Sequence, residues 1–446
     1  MKRYFMQKLL QWRHQKNRKP LIISGARQVG KTYLLRQLGQ DHFPQAHYIN
    51  FEKSADLADL FEAELDPRRI IDALSFHLGT AINVEQDLMI WDEIQACPRA
   101  LTSLKYFQEE MPELALCSAG SLLGVYLAPV SFPVGKIHWL TLHPMSFEEF
   151  LLAIDDEKSV SYLAQCNQHT KTPAVIHHHL WERLKWYFVV GGLPEAVNIF
   201  HAHYHHLYLA MEKVREQQME LIKTYHADMA KHAGKVNAMH IDRVWKSIPQ
   251  QLARSQDGSA AKFKCKGVVP GIDRYHRLAS AIDWLQATGL IIKVPLVKVG
   301  RLPFSAYSQE NLFKLFLFDI GILGALSELS PKVILDYDYG TYKGYFAENY
   351  VAQAFREASV DTLYSWQENR AEVEFLRTDN GHVLPIEVKS GWVKHAKSLQ
   401  TFAEKYQVPY RTIMSAESLF IDVPNRVHHY PLYLASRFPL QDNTTQ

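Results

Sequence analysis

The chain has 446 residues, 47% hydrophobic, 22% charged and 12% aromatic. That supplies apolar material for several cores at a length of about three ordinary domains, and it excludes both a single small module and a disordered chain. The formal net charge is only +2, so a nucleic-acid partner would have to be held by local basic patches.

Residues 1–19 are basic but are interrupted by Gln7, Gln11, Gln15 and Asn17, so they lack the apolar stretch of a signal peptide. From Pro20 to about Met145, short apolar runs (21–24, 47–51, 87–91, 114–117) alternate with helical segments beginning at Lys31 and after Ala55, Pro67 and Pro98. This alternation predicts a parallel sheet covered on both faces. Residues 146–230 follow a helical period, broken at the turn Gly191-Gly192-Leu193-Pro194.

Ile241, Val244, Ile248 and Leu252 mark a helix that Pro249 is expected to kink or end, and Leu278, Ile282 and Leu285 mark another closing at Gly289. A strand at 290–294 and a return after Arg301 complete the pattern of a winged helix. From about Tyr339 the order is helix (345–357), strands (362–366, 371–377, 382–388), helix (396–406) and strand (409–414), a further α/β domain. The most apolar stretch, 312–326, contains Lys314 and Asp319 and is too short to cross a bilayer. Cys97, Cys117, Cys166 and Cys265 match neither zinc-ligand spacing nor a dense disulfide framework. A soluble, cytoplasmic protein without a membrane partner is expected.

Gly25-Ala26-Arg27-Gln28-Val29-Gly30-Lys31-Thr32 fits G-x-x-x-x-G-K-[ST], directly after a predicted strand and opening a helix. Glycines let the backbone wrap phosphates, and exposed N–H groups with the helix N-terminus attract the anion. Lys31 would neutralise β/γ-phosphate charge and the Thr32 hydroxyl would bind Mg²⁺. The apolar strand 88–91 ends in Asp92-Glu93, where Asp92 would hold Mg²⁺ through water and Glu93 would polarise an attacking water. An acidic first turn of the next helix is the plainer reading of that pair taken alone. Both elements together indicate ATP with Mg²⁺. Ser121, after the next strand, is a candidate γ-phosphate sensor in preference to Ser118, against a simple serine-glycine turn. Arg27, Arg36 and Arg99 are candidate phosphate contacts, none assigned as a finger.

A second constellation is Glu372-Val373-Glu374-Phe375, followed across a turn at Asp379-Asn380-Gly381 by Ile386-Glu387-Val388-Lys389. Period-two alternation puts Glu387 and Lys389 on one face, with Glu374 able to face them and Glu348 on the preceding helix. Such a set suits metal-dependent phosphodiester hydrolysis, with Glu348, Glu374 and Glu387 as ligands of a second Mg²⁺ and Lys389 orienting water. Ordinary alternating charge on an exposed hairpin face is the competing reading.

These residues, with Asn50-Phe51-Glu52, Trp91-Asp92-Glu93-Ile94-Gln95, Gly120-Ser121, residues 142–150 (LHPMSFEEF), Gly191-Gly192-Leu193-Pro194-Glu195, Phe318-Asp319-Ile320-Gly321 and Glu348-Asn349, resemble a prokaryotic family of AAA-type ATP-binding proteins. Its members carry a C-terminal PD-(D/E)XK restriction-endonuclease-like domain. The resemblance implies an α/β multidomain chain: a P-loop parallel-sheet ATPase core (1–150), a helical lid (151–230), a winged-helix region (231–335) and a nuclease-like α/β domain (336–446). Two departures stand out: Gly135-Lys136 where an arginine is common, and Glu374 where aspartate is usual.

His177-His178-His179 and His201, His203, His205 and His206 are weighed as a metal site against solvated helices, which the lack of acidic or cysteine companions favours. Lys262, Lys264, Lys266, Lys293, Lys298 and Arg301 gather near the expected wing, either to meet DNA phosphates or to guard a strand edge. Trp245 and Trp284 are expected in a core. Two functions remain open: an ATP-hydrolysing enzyme acting on or with nucleic acid, or an ATP-controlled switch whose C-terminal fold is an inactive protein- or DNA-binding module. Assembly into an oligomer is left open.

Overall fold

The computed structural model describes residues 1–121, 132–256, 262–336, 342–369, 371–391 and 397–441. The chain forms two compact units, Lys2–His143 with Ala287–Gly289, and Pro144–Gln286 with Leu290–Gln446. Among the described residues no helix is long and apolar enough to cross a membrane.

The first unit is built on β1 (Leu21–Ser24), β2 (Ala46–Asn50), β3 (Leu88–Asp92), β4 (Ala115–Ala119) and β5 (His138–Thr141). They lie in the order β2-β3-β4-β1-β5, and every pairing is parallel. β3 and β4 are buried at every residue, which is why they read as unbroken apolar runs. Trp91 fills one side of the sheet and meets Phe51, Phe61 and Phe107 edge to face at 5.3 to 5.8 Å. β5 carries only half-buried and exposed residues. An edge strand needs no apolar run, so it left no sequence signal.

In the second unit the expected helices form, beginning with Phe147–Ala153. Its start is a capping box: Ser146 Oγ accepts from Glu149 N–H (3.2 Å) and Glu149 Oε2 accepts from Ser146 N–H (2.9 Å). Glu148 receives a two-pronged hydrogen bond from Arg437, 2.7 Å on each side. The helix Lys235–Gln256 continues through Pro249 rather than ending there. Trp245 and Trp284 are buried, as expected of core residues.

β6 (Ile291–Val297), β7 (Ser308–Leu317), β8 (Tyr364–Glu368), β9 (Ala371–Asp379), β10 (His382–Val388), β11 (Arg411–Ser415), β12 (Phe420–Asp422) and β13 (Val427–Pro431) make one sheet. Its order is β12-β13-β11-β10-β9-β8-β6-β7. The predicted turn between β9 and β10 is present: Asp379 pairs with His382, and Asn380 and Gly381 both take positive φ, as a two-residue hairpin requires. Ala396, where the next helix was expected to begin, lies outside the described residues.

The compact units divide the chain differently from the expected domain limits. The hairpin β6–β7, read from sequence as a wing, pairs through β6 with β8 (Leu296↔Ser365) and belongs to the same sheet as the C-terminal strands. Its residues from Phe313 to Leu317 are all buried, whereas a wing would keep one face wet. The limit at 335/336 therefore falls inside a unit. That at 230/231 falls inside the continuous helix Leu207–Ala233, and the change of unit comes at Pro144, a few residues before 150/151.

Several resembling motifs act here as backbone clamps. Asn349 on the helix Tyr342–Glu357 accepts from Leu317 N–H (2.8 Å) and donates to Leu317 O (3.0 Å). One turn later Gln353 accepts from Ile320 N–H (2.8 Å) and donates to the Tyr187 hydroxyl (2.8 Å). Asp319, fully buried, caps the helix Ile320–Leu326 through Ile322 N–H (3.0 Å) and receives Gly192 N–H (2.6 Å). Burial pushes its carboxyl up to about 6, against the pull of these N–H groups. Each clamp satisfies peptide groups where strand becomes helix, beyond the reach of sheet or helix bonding.

Gly191 sits at φ +72°, and a Cβ there would lie 2.3 Å from Asp319 Oδ1. Gly191→Ala should lower unfolding free energy by about 2–4 kcal/mol from backbone strain and the clash. Urea denaturation of the full chain checks this, and an unchanged midpoint would mean the close approach is absent.

Candidate functional site

The loop 25–30 leaves the end of β1, and the helix Lys31–His42 begins at once. Gly25 has φ +143°, and a Cβ on it would lie 2.2 Å from Leu142 O, so the turn admits only glycine. Gln28 and Gly30 also have positive φ. Lys31 is buried and donates to Gly25 O (2.9 Å) and Ala26 O (2.8 Å), spanning its own loop. Burial lowers its pKa to about 8, against the opposing charges of Glu93 and Asp92. Arg3 fastens the loop from outside, donating to Val29 O (3.0 Å) and His143 O (2.8 Å).

Thr32 Oγ1 donates to Asp92 Oδ2 at 2.8 Å, joining residues 60 positions apart in the chain. The register of β1, β4 and β3 makes this meeting necessary, since parallel strands end on one edge. The same Oδ2 accepts from the Tyr48 hydroxyl at 2.7 Å, and the Arg36 guanidinium lies 3.9 Å from the Tyr48 ring centre. Glu93 takes a left-handed conformation at φ +51° and accepts from Gln95 Nε2 at 2.5 Å. Two carboxylates, a threonine hydroxyl and a buried lysine thus surround one loop. Thr32 and Asp92 supply the hard oxygen donors that Mg²⁺ takes, so the residues fit that ion.

Ser121 follows β4 and is buried, as is Ser118, and among the described residues neither hydroxyl oxygen has a hydrogen-bond partner. Of the arginines weighed from sequence, Arg36 stacks on Tyr48 and Arg99 donates to Phe61 O (2.6 Å). Lys136, which stands where an arginine is common, pairs with Glu109 at 3.0 Å. Arg3 and Tyr48 were missed in the sequence. Arg3 lies outside the motif, and the tyrosine reads as an ordinary strand residue.

In the second unit Glu348, Glu374 and Glu387 do share a neighbourhood. Glu374 is pushed well above the ordinary carboxyl range by burial and then by the Glu387 and Glu348 charges, despite Lys389 and Lys314. Its Oε2 accepts from Val388 N–H at 3.4 Å. Lys389 pairs with Glu387 Oε1 at 2.5 Å. Lys314, on β7, pairs with Glu348 Oε2 at 3.4 Å and with Glu372 Oε1. Burial lowers the Lys314 pKa, but Glu348, Glu372 and Glu374 outweigh it and hold the ammonium charged.

Sequence reading did not place Lys314 here, although a lone lysine in the run Leu312–Leu317 was the available signal. Among the described residues no three His, Cys, Asp or Glu side chains are grouped as ligands of a metal ion. With Glu348 turned to Lys314 and Glu387 to Lys389, the carboxylates as arranged face ammonium groups and do not converge on the second Mg²⁺ expected of them. The histidine-rich stretches are not ligand sets either. His177, expected to be solvated, is buried between the Tyr433 hydroxyl (2.9 Å) and Ala416 O (3.0 Å) because its helix packs there on the C-terminal segment. His179 and His201 each meet one aspartate.

Residues 17–151 match the model of an AAA domain, and residues 182–333 and 343–432 match two domains of unknown function, DUF8612 and DUF4143. No curated protein matches the chain. Among solved structures, a Walker-type ATPase of Pyrococcus abyssi is similar at 14% identity and TM-score 0.44, over 72% of this chain and 94% of that one. The Aeropyrum pernix ORC1 protein in complex with DNA is similar at 13% identity and TM-score 0.29, over 73% of this chain and 90% of that one. PCH-2 of C. elegans is similar at 14% identity and TM-score 0.29, over 48% and 66%. With the loop geometry and the domain match together, residues 17–151 are an AAA-type, P-loop ATP-binding domain.

Proposed function

We propose that the chain binds ATP with Mg²⁺ and hydrolyses it, and that the nucleotide state controls a second unit acting as a binding module. The observation that carries this is the 2.8 Å bond from Thr32 to Asp92 beside the buried Lys31. In this reading Lys31 leaves its loop carbonyls and turns its ammonium to the β- and γ-phosphates, while loop N–H groups receive phosphate oxygens. Thr32 and Asp92 hold Mg²⁺, which supplies charge to offset that developing on the phosphates. Glu93, released from Gln95, orients and polarises the attacking water, and Ser121 offers its buried hydroxyl to the γ-phosphate. Gly25, Ala26, Arg27, Gln28, Val29 and Gly30 form the wall of the cradle.

Nucleic acid is the partner favoured for the second unit, because Lys262, Lys264 and Lys266 are exposed on one short segment. That segment is fixed to the helix Lys235–Gln256: Gln251 accepts from Lys264 N–H (2.7 Å) and donates to Lys264 O (3.0 Å). The nuclease reading of Glu348, Glu374, Glu387 and Lys389 is not carried forward, since Lys314 and Lys389 engage Glu348 and Glu387 in ion pairs. A protein partner is the alternative if nucleic acid does not bind.

Lys31→Ala should weaken ATP binding about 10- to 100-fold by removing a charged hydrogen bond. Glu93→Gln should bind ATP as before and hydrolyse it about 10²–10⁴-fold more slowly. Nucleotide titration and single-turnover hydrolysis separate the two defects, and a normal rate in Glu93→Gln would remove its assignment.

The lowered pKa of Lys31 fixes a pH dependence. Below about pH 8 the ammonium is already charged in the free protein, and phosphate binding takes up no proton. Above that, binding must protonate it first, so ATP affinity falls by up to about tenfold per pH unit. Lys31→Arg should flatten this slope in titrations between pH 7 and 9.5, because a guanidinium stays charged.

Neutralising Lys262, Lys264 and Lys266 together should weaken DNA binding and reduce the slope of log affinity against log salt by about 2–3. An unchanged salt titration would take the nucleic-acid surface away from this segment.

A further inference from the structure

The acidic cluster of the second unit carries its own cation. Lys314 rises from the buried end of β7, with its side chain 6% exposed, and reaches two carboxylates that come from different elements. Glu348 stands on the helix Tyr342–Glu357 and Glu372 on β9. Lys389 holds a further carboxylate through Glu387 Oε1. A divalent ion of the Mg²⁺ or Mn²⁺ class asks for several ionised oxygens turned on one point. Here Glu348 and Glu372 are turned to one ammonium and Glu387 to another.

We propose that Lys314 replaces a divalent cation in this cluster, so that the site is held together by an internal ammonium and does not take a metal. The lysine is then a positioning residue: it draws the helix Tyr342–Glu357 and strand β9 onto β7 by neutralising the charge they bring. The inference deepens the reading of the second unit as a binding module and does not depend on the ATP site. A buried charge that loses its partner is costly, so the cluster should respond to removal of the lysine by acquiring another cation or by coming apart. Which cation enters is then a matter of oxygen donors, and four glutamates favour a hard divalent ion.

The test is Mn²⁺ binding by the full chain without nucleotide, in an Asp92→Asn background that takes the ATP-site carboxylate out of the count. Calorimetric titration and thermal unfolding are followed together. The parent should show no saturable Mn²⁺ binding below about 1 mM and no change in midpoint. Lys314→Met should bind one Mn²⁺ per chain at least about tenfold more tightly, lose it when Glu387→Gln is added, and unfold roughly 10 °C lower without metal. Lys314→Arg should behave as the parent.

If Lys314→Met does not fold alone, its fold should return with Mn²⁺ or with the charge-balancing second change Glu348→Gln. Failure of both restorations would overturn the proposal. One Mn²⁺ bound by the parent and lost in Glu387→Gln would overturn it too, as would a folded Lys314→Met that binds no more metal than the parent. No nucleotide enters these measurements, so failure of the ATP reading would leave their outcome unchanged.

Discussion

Parallel pairing within the five-stranded sheet is the constraint from which the nucleotide site follows. Because β1, β3 and β4 run the same way, the residues just past their ends are delivered to a single edge. That edge receives the loop after Ser24, the carboxylates Asp92 and Glu93, and Ser121. The Thr32–Asp92 hydrogen bond is a direct readout of this delivery. A change in strand direction or in register by one residue would turn the Asp92 side chain to the other face of β3, where Trp91 now packs. The apolar sequence of the strands thus does chemical work at a distance: it sets the sheet, and the sheet sets the distances.

A charge-bearing side chain inside each unit is kept only because its surroundings meet it. Lys31 is held by two loop carbonyls and Lys314 by carboxylates, while Asp319 accepts backbone N–H groups. These are three answers to one problem, the cost of taking an ion out of water. The first is provisional, since carbonyls are weaker partners for an ammonium than phosphate oxygens would be. The other two are permanent fixtures that shape the unit around them.

The sequence was most legible where a local pattern has a single physical meaning. The glycine-rich loop between an apolar strand and a helix was such a pattern, and so was Asn380-Gly381 between alternating strands. It was misleading where the meaning depends on what lies opposite. The hairpin β6–β7 has the length and turn of a wing, and only its pairing with β8 shows that it is part of a larger sheet. β5, β12 and β13 left little trace because short strands at or near an edge need few apolar residues. Lys314 had a signal, a single charge within an apolar strand, but its partners on Glu348 and Glu372 are set by tertiary structure alone. The motif residues Asn349 and Asp319 are of types that also serve in catalysis, and here they tie backbone segments together, Asp319 through the Gly192 N–H.

The eight-stranded sheet also bears on how such a chain can vary. The stretches 182–333 and 343–432 resemble different domain models, yet β6 and β7 fall in the first, β8 to β13 in the second, and the strands hydrogen-bond to one another. Lys314 lies in one stretch, and Glu348 and Glu372 in the other. A recombination event joining unrelated versions of the two stretches would have to bring matching charges along with matching strand lengths. A lysine inherited without its glutamates would be buried without a counter-ion, and the glutamates without the lysine would repel. The two stretches are physically one heritable piece, whatever their boundaries as patterns of sequence.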